Sequence, residues 1–249
     1  MSVGSTVLIG VDCACQVKDI GIARAEYRPG AGTMVTEVLC GKDVPSVPKT
    51  IADWVTGAGR CLFALDAPLG WPEAMGSELG RHRAGEKIVT RPNDFFRRET
   101  DRDIQRRFGK TPLDVGADRI ARTAHAALTL LDEVRQITGR EIPLAWRPLD
   151  IPELSAIEVY PAGTLLAHRL PASGYKKPDQ RRVRSVILDA LDDRLTLPED
   201  PERMLSDADC LDAVLCILAA GDFLSGQAVM PPESPSTHKE GWIWVRDRI

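Results

Sequence analysis

The sequence lacks the marks of most familiar enzyme classes. Its six cysteines form no Cys-x-x-Cys pair, and it contains no Ser-His-Asp elbow, no Walker-type glycine-rich loop and no zinc signature. The four histidines (His82, His125, His168 and His238) stand apart, without ligand spacing. No apolar run approaches the roughly 20 residues that cross a bilayer. No N-terminal stretch joins a basic region to a long apolar one, so no signal peptide is expected. These absences point to a soluble, cytoplasmic protein. Its cysteines (Cys13, Cys15, Cys40, Cys61, Cys210 and Cys216) read as small buried hydrophobes in a reducing compartment. A net charge of −4 excludes a protein coated in basic charge for sequence-blind nucleic-acid binding, but it permits a local basic face. There is no internal repeat and no low-complexity segment.

With 249 residues, the chain can bury a substantial core in a single domain. Residues 6–11, 20–27 and 34–39 are short, apolar-rich and separated by turn formers, which predicts a three-stranded meander. Residues 49–58 have the spacing of a short amphipathic helix, and the continuous apolar run at 60–65 reads as a buried fourth strand. A mixed α/β sheet with flanking helices follows, its fourth strand beside its first. Residues 73–150 then break the pattern as a helical insertion or cap, whose clearest helix spans 120–137. A fifth strand at 157–160 closes at Pro161-Ala162-Gly163. Helices at 179–194 and 207–224 follow, and residues 241–245 offer a last edge strand.

Acidic residues occupy the ends of these elements. Asp12 ends the first apolar run, and Asp66 ends the fourth. Asp209 and Asp212 are three apart at a helix start, so they project from one face. In the expected topology Asp12 and Asp66 lie side by side at one sheet edge. A carboxylate where a buried strand meets solvent is costly unless paired or metal-bound. Hard oxygen ligands suit Mg²⁺ or Mn²⁺, and two such ions can carry out phosphodiester hydrolysis. The expected metal ligands are Asp12, Asp66, Asp209 and Asp212. Glu158, ending the strand beside Asp66, is a further ligand or water-orienting base. The alternative for each acid is a helix or turn cap.

Residues 81–110 carry ten basic and five acidic side chains, a local excess of +5. Arg98 and Arg102 within this stretch are expected phosphate contacts, with an intra-helical ion-pair network as the competing reading. Lys176, at the head of the basic run Lys176, Lys177, Arg181, Arg182 and Arg184, is a third expected substrate contact, or else part of a solvated helix face.

Six motifs occur in order: Gly10-Val11-Asp12, Leu65-Asp66-Ala67-Pro68-Leu69-Gly70, Arg98-Glu99-Thr100-Asp101-Arg102, Glu158-Val159-Tyr160-Pro161-Ala162, Asp212-Ala213 and Glu240-Gly241-Trp242-Ile243. Together they resemble the domain-of-unknown-function 429 family, described as predicted nucleases of RNase H-like fold. The resemblance implies an RNase H-like, five-stranded mixed sheet and a metal-dependent nuclease acting on DNA or RNA, with Asp12, Asp66, Glu158 and Asp212 as catalytic residues. Asp209-x-x-Asp212-Ala213 is also similar to the C-terminal acidic pair of bacterial Holliday-junction resolvases, which are much shorter between their acidic strands. Two other classes remain open. An actin-like or sugar-kinase-type phosphotransferase also ends its first strand in Asp, but needs two lobes and a second glycine-rich hairpin where this chain has Pro68. A non-catalytic nucleic-acid-binding module could keep the acids as structural pairs.

Overall fold

The computed structural model describes residues 4–116 and 118–248. Three strands, β1 (Thr6–Asp12), β2 (Gly21–Arg28) and β3 (Gly32–Cys40), form the antiparallel meander. After helix α1 (Val47–Val55), strand β4 (Cys61–Asp66) pairs in parallel with β1. Four helices then intervene: α2 (Glu73–Leu79), α3 (Pro92–Phe96), α4 (Glu99–Phe108) and α5 (Asp118–Thr138). Strand β5 (Leu154–Val159) lies parallel to β4. Helices α6 (Pro161–Ala167), α7 (Arg181–Leu191), α8 (Glu202–Ser206), α9 (Ala208–Leu224) and α10 (Thr237–Glu240) lead to β6 (Ile243–Trp244), parallel to β5. The sheet order is β3-β2-β1-β4-β5-β6.

The sheet therefore has six strands where the resemblance implies five, the sixth being the edge strand that the sequence offers at 241–245. The tail supplies the sixth: Ile243 and Trp244 pair with Glu158 and Val159, and Thr100 Oγ1 accepts from Ile243 N at 2.8 Å. A helix also replaces an expected chain break. Pro161 opens α6 in its first turn, where a missing N–H costs nothing.

Side-chain alternation sorts the sheet into two faces. Leu8, Ala23, Ala25, Leu62 and Ala64 pack beneath α9, whose residues are apolar nearly all round because other helices cover its outer side. Ile9, Val11, Ile22, Phe63 and Leu65 form the other face with α1 and α5. The segment expected as a cap thus also supplies a core layer, since Ala127, Leu130, Leu131 and Val134 of α5 are buried against the sheet.

The α9 face is tightly spaced. A Cβ on Gly10 would lie 2.0 Å from the Ala213 carbonyl oxygen, and one on Gly21 would lie 2.0 Å from that of Asp209. Only glycine lets β1 and β2 approach the helix backbone this closely. That contact fixes the first turns of α9 against the carboxyl end of β1. Among the described residues, no helix is long and apolar enough to cross a membrane.

Candidate active site

Parallel register places Asp12 directly beside Asp66. Alternation turns both toward α9, on the face shared by Leu8, Gly10, Leu62 and Ala64. Asp212 reaches the same point from the second turn of α9. Carboxylate oxygens of Asp12, Asp66 and Asp212 all lie within 4.8 Å of one another. Asp12 is 7% exposed and Asp212 is fully buried. Asp209, half-buried in the first turn of α9, lies within hydrogen-bonding reach of Asp12.

Asp209 is free to face this cluster because another residue caps the helix. Asp207 Oδ1 accepts from Asp209 N at 3.1 Å, while Asp207 Oδ2 accepts from Lys42 Nζ at 2.9 Å and Cys40 Sγ at 3.2 Å. Cys40, Asp207 and Cys210 also gather within 4.8 Å of one another. There, however, the carboxylate is committed to the cap and to Lys42. The Cys210 thiol is pushed well up, by its hydrogen bond with Cys40 and by burial, so the cluster reads as part of the α9 anchor.

Two neighbours engage Asp212. Tyr175 donates its hydroxyl to Asp212 Oδ1 at 2.7 Å. Lys176 Nζ forms an ion pair with Asp212 Oδ2, an atom that accepts no well-aligned hydrogen bond. Burial alone would depress the Lys176 ammonium, but Asp212, Asp12 and Asp66 reverse that and raise it. Lys176 therefore belongs to the carboxylate cluster rather than to a solvated track, as its sequence context had suggested.

Glu158 does not join the cluster. Its register partner on β4 is Leu65, not Asp66, so it lines the same cleft but stands outside the three-acid cluster. Both its oxygens accept from Arg98, Oε1 from Nη2 and Oε2 from Nη1, each at 2.7 Å, and Oε2 also accepts from Leu69 N at 2.9 Å. Arg98 in turn donates to both oxygens of Asp101, at 2.9 and 3.1 Å, and to the Glu240 carbonyl at 3.1 Å. Arg98 lines the cleft but is only 1% exposed, and its donors are taken up by Glu158, Asp101 and the Glu240 carbonyl, which makes it a structural hub. Arg102 is likewise occupied, donating to the Arg97 carbonyl at 2.9 Å with Asp94 3.7 Å away. The competing reading of this stretch, an ion-pair network, describes Arg98 and Asp101 better.

Asp12, Asp66 and Asp209 line a cleft of about 980 Å³, as do Glu158 and Arg98, while Asp212 lies fully buried behind its wall. Lys176, Tyr160, Tyr175, Lys110, Arg119 and Arg122 also line it, Lys110 donating to the Ala172 carbonyl at 3.1 Å. Arg119 and Arg122, at the start of α5, are exposed and make no ion pair with any described side chain. Sequence reasoning passed over both arginines, because they sit in an apolar helix outside the dense basic run.

Crowded carboxylates resist ionisation. Burial pushes Asp12 well up, reinforced by Asp212. Burial also raises Asp212 against the pull of Lys176, and raises Asp209. Asp66 moves from an ordinary 3.8 up to about 7, through burial first and the Asp212 charge after that. A carboxylate whose folded pKa is raised holds its proton more tightly in the folded chain. Its contribution to stability is present below about pH 4 and fades as the pH climbs through about 7. Metal-free protein is expected to melt at falling temperature across that window, and Asp66→Asn should flatten the decline. Thermal melts in chelator check this; a wild-type profile no steeper than that of Asp66→Asn contradicts it.

A family model described as "Protein of unknown function (DUF429)" matches residues 10–237. No curated protein and no solved structure matches the chain.

Proposed function

The chain belongs to the domain-of-unknown-function 429 family, and for it we propose metal-dependent hydrolysis of phosphodiester bonds, with a nucleic acid, DNA or RNA, as the substrate. The observation that carries this reading is the convergence of Asp12, Asp66 and Asp212, from three separate elements, within 4.8 Å beside a cleft that Asp12 and Asp66 line. Such crowding is unfavourable unless positive charge enters. The sheet order supports the RNase H-like reading, which requires the fourth strand beside the first.

The residues fit a divalent ion of the Mg²⁺ or Mn²⁺ type. All three offer hard carboxylate oxygens, and buried Asp212 Oδ2 lacks a well-aligned donor. Bound there, the ion would polarise a phosphoryl oxygen and acidify a water. Asp12, Asp66 and Asp212 would hold it, with Tyr175 fixing the orientation of Asp212. Asp209, at the cleft edge, is the carboxylate placed to accept a proton from an attacking water. Arg119, Arg122 and Lys110 would hold the substrate phosphates, taking the role that the sequence suggested for Arg98 and Arg102.

Hydrolysis of bis(4-nitrophenyl) phosphate and of labelled single- and double-stranded oligonucleotides, with Mn²⁺ and with chelator, tests the proposal. Cleavage that requires the metal supports it; no cleavage of any substrate in Mn²⁺ or Mg²⁺ contradicts it. For the phosphate wall, log affinity for an oligonucleotide should fall against log salt by about 0.7–0.9 per phosphate contacted. Arg119→Ala with Arg122→Ala should make that slope shallower by about one to two contacts. A slope unchanged in the double variant removes the arginines from the interface.

A further inference from the structure

We propose that Lys176 is a resident cation of the carboxylate centre, and that the centre consequently takes one divalent ion rather than two. This rests on the metal-dependent reading above. The ligand inventory points to a single ion. As ligands Asp12, Asp66 and Asp212 carry −3 and the adjoining Asp209 a further −1, so the Lys176 ammonium on Asp212 leaves −3, and one divalent ion brings the centre to −1. A second ion would bring the centre to +1 and would have to compete with the ammonium already paired with Asp212 Oδ2. Glu158, which lines the same cleft, cannot offset it, because both its oxygens are already taken by Arg98.

Lys176 is a surface residue, its side chain 54% exposed, but the backbone around it is fixed. Arg184 of α7 is 1% exposed; its Nε donates to the Leu205 carbonyl of α8 at 2.7 Å, and its two terminal nitrogens hold the segment that carries Lys176. Its Nη1 donates to the Tyr175 carbonyl at 2.6 Å and the Lys177 carbonyl at 2.9 Å, and its Nη2 donates to the Pro178 carbonyl at 3.2 Å. Tyr175, the preceding residue, is tied to Asp212 Oδ1 through its hydroxyl. The backbone on both sides of Lys176 is thus held, and the side chain is delivered to Asp212 Oδ2. A buried arginine that binds only backbone carbonyls is an expensive way to hold a loop, and here it fixes the position of one ammonium. Lys176 is accordingly a positioning residue that sets the charge and capacity of the centre.

The test is a Mn²⁺ titration of the full chain near neutral pH, with stoichiometry from calorimetry and the coupling between ions from electron paramagnetic resonance. Wild type is expected to bind one Mn²⁺ with an uncoupled spectrum. Lys176→Met should bind two, giving the signature of a coupled pair, whereas Lys176→Arg should remain at one. Two ions in wild type, or one in Lys176→Met, would overturn the role of Lys176 while leaving the metal reading intact. No Mn²⁺ binding by folded wild type would remove the metal reading itself. The wild-type stoichiometry decides the one-ion claim even if Lys176→Met does not fold.

Discussion

Arg98→Met is expected to lower folding stability by about 3–5 kcal/mol, the usual cost of removing one partner from a buried charge network. Glu158 and Asp101, 4% and 1% exposed, would be left without their counter-ion, and the Glu240 carbonyl would lose a donor. The damage would spread, because the same hub joins α4 to β5 and to the turn before β6. Chemical denaturation of the metal-free protein measures it. If Arg98→Met instead kept wild-type stability and lost only affinity for substrate, Arg98 would be the phosphate contact that its sequence neighbourhood suggests, and the buried network would be wrong.

Asp12→Asn should lower the rate of metal-dependent hydrolysis by about 10³-fold or more, since losing a ligand removes several kcal/mol of transition-state stabilisation. The same change should not harm the fold. Asp12 is pushed up by burial and by Asp212, so replacing it with a neutral amide relieves repulsion. Without metal, Asp12→Asn is expected to melt at or above the wild-type temperature, and with Mn²⁺ it should lose most of the stabilisation that wild type gains by mass action. Hydrolysis rates and paired melts give both readings. A variant that is unstable without metal yet still stabilised by it would make Asp12 a structural cap.

What could be read in advance follows a physical pattern. Strands β1 and β4 are continuous apolar runs ended by an acid, and a parallel pair in register needs no further information to bring Asp12 and Asp66 together. Asp209 and Asp212 were visible from helical spacing alone. Glu158 lines the cleft but stands outside the three-acid cluster, because Leu65 rather than Asp66 stands opposite it, and the sequence does not state that register. Arg98 was misassigned for a related reason. Its partner Glu158 lies 60 positions away, whereas the basic neighbours that make it look like a phosphate contact are adjacent in the chain. Lys176 was singled out for its charge but not for its place, which depends on Arg184 gripping the carbonyls around it. Asp207 stood one residue before the helix and two before Asp209, and only the hydrogen bonds show which of the three acids caps α9 and which face the cleft.

The most direct measurement is an anomalous-difference map from a crystal of the full chain soaked in Mn²⁺. The account predicts a peak bounded by oxygens of Asp12, Asp66 and Asp212, at the roughly 2.0–2.3 Å expected of a small hard cation, on the cleft side of the cluster. Mn²⁺ found only elsewhere, or no peak with Lys176 still closing on Asp212, would make these acids a structural ion-pair cluster and would contradict the claim that the cleft is a metal-dependent active site.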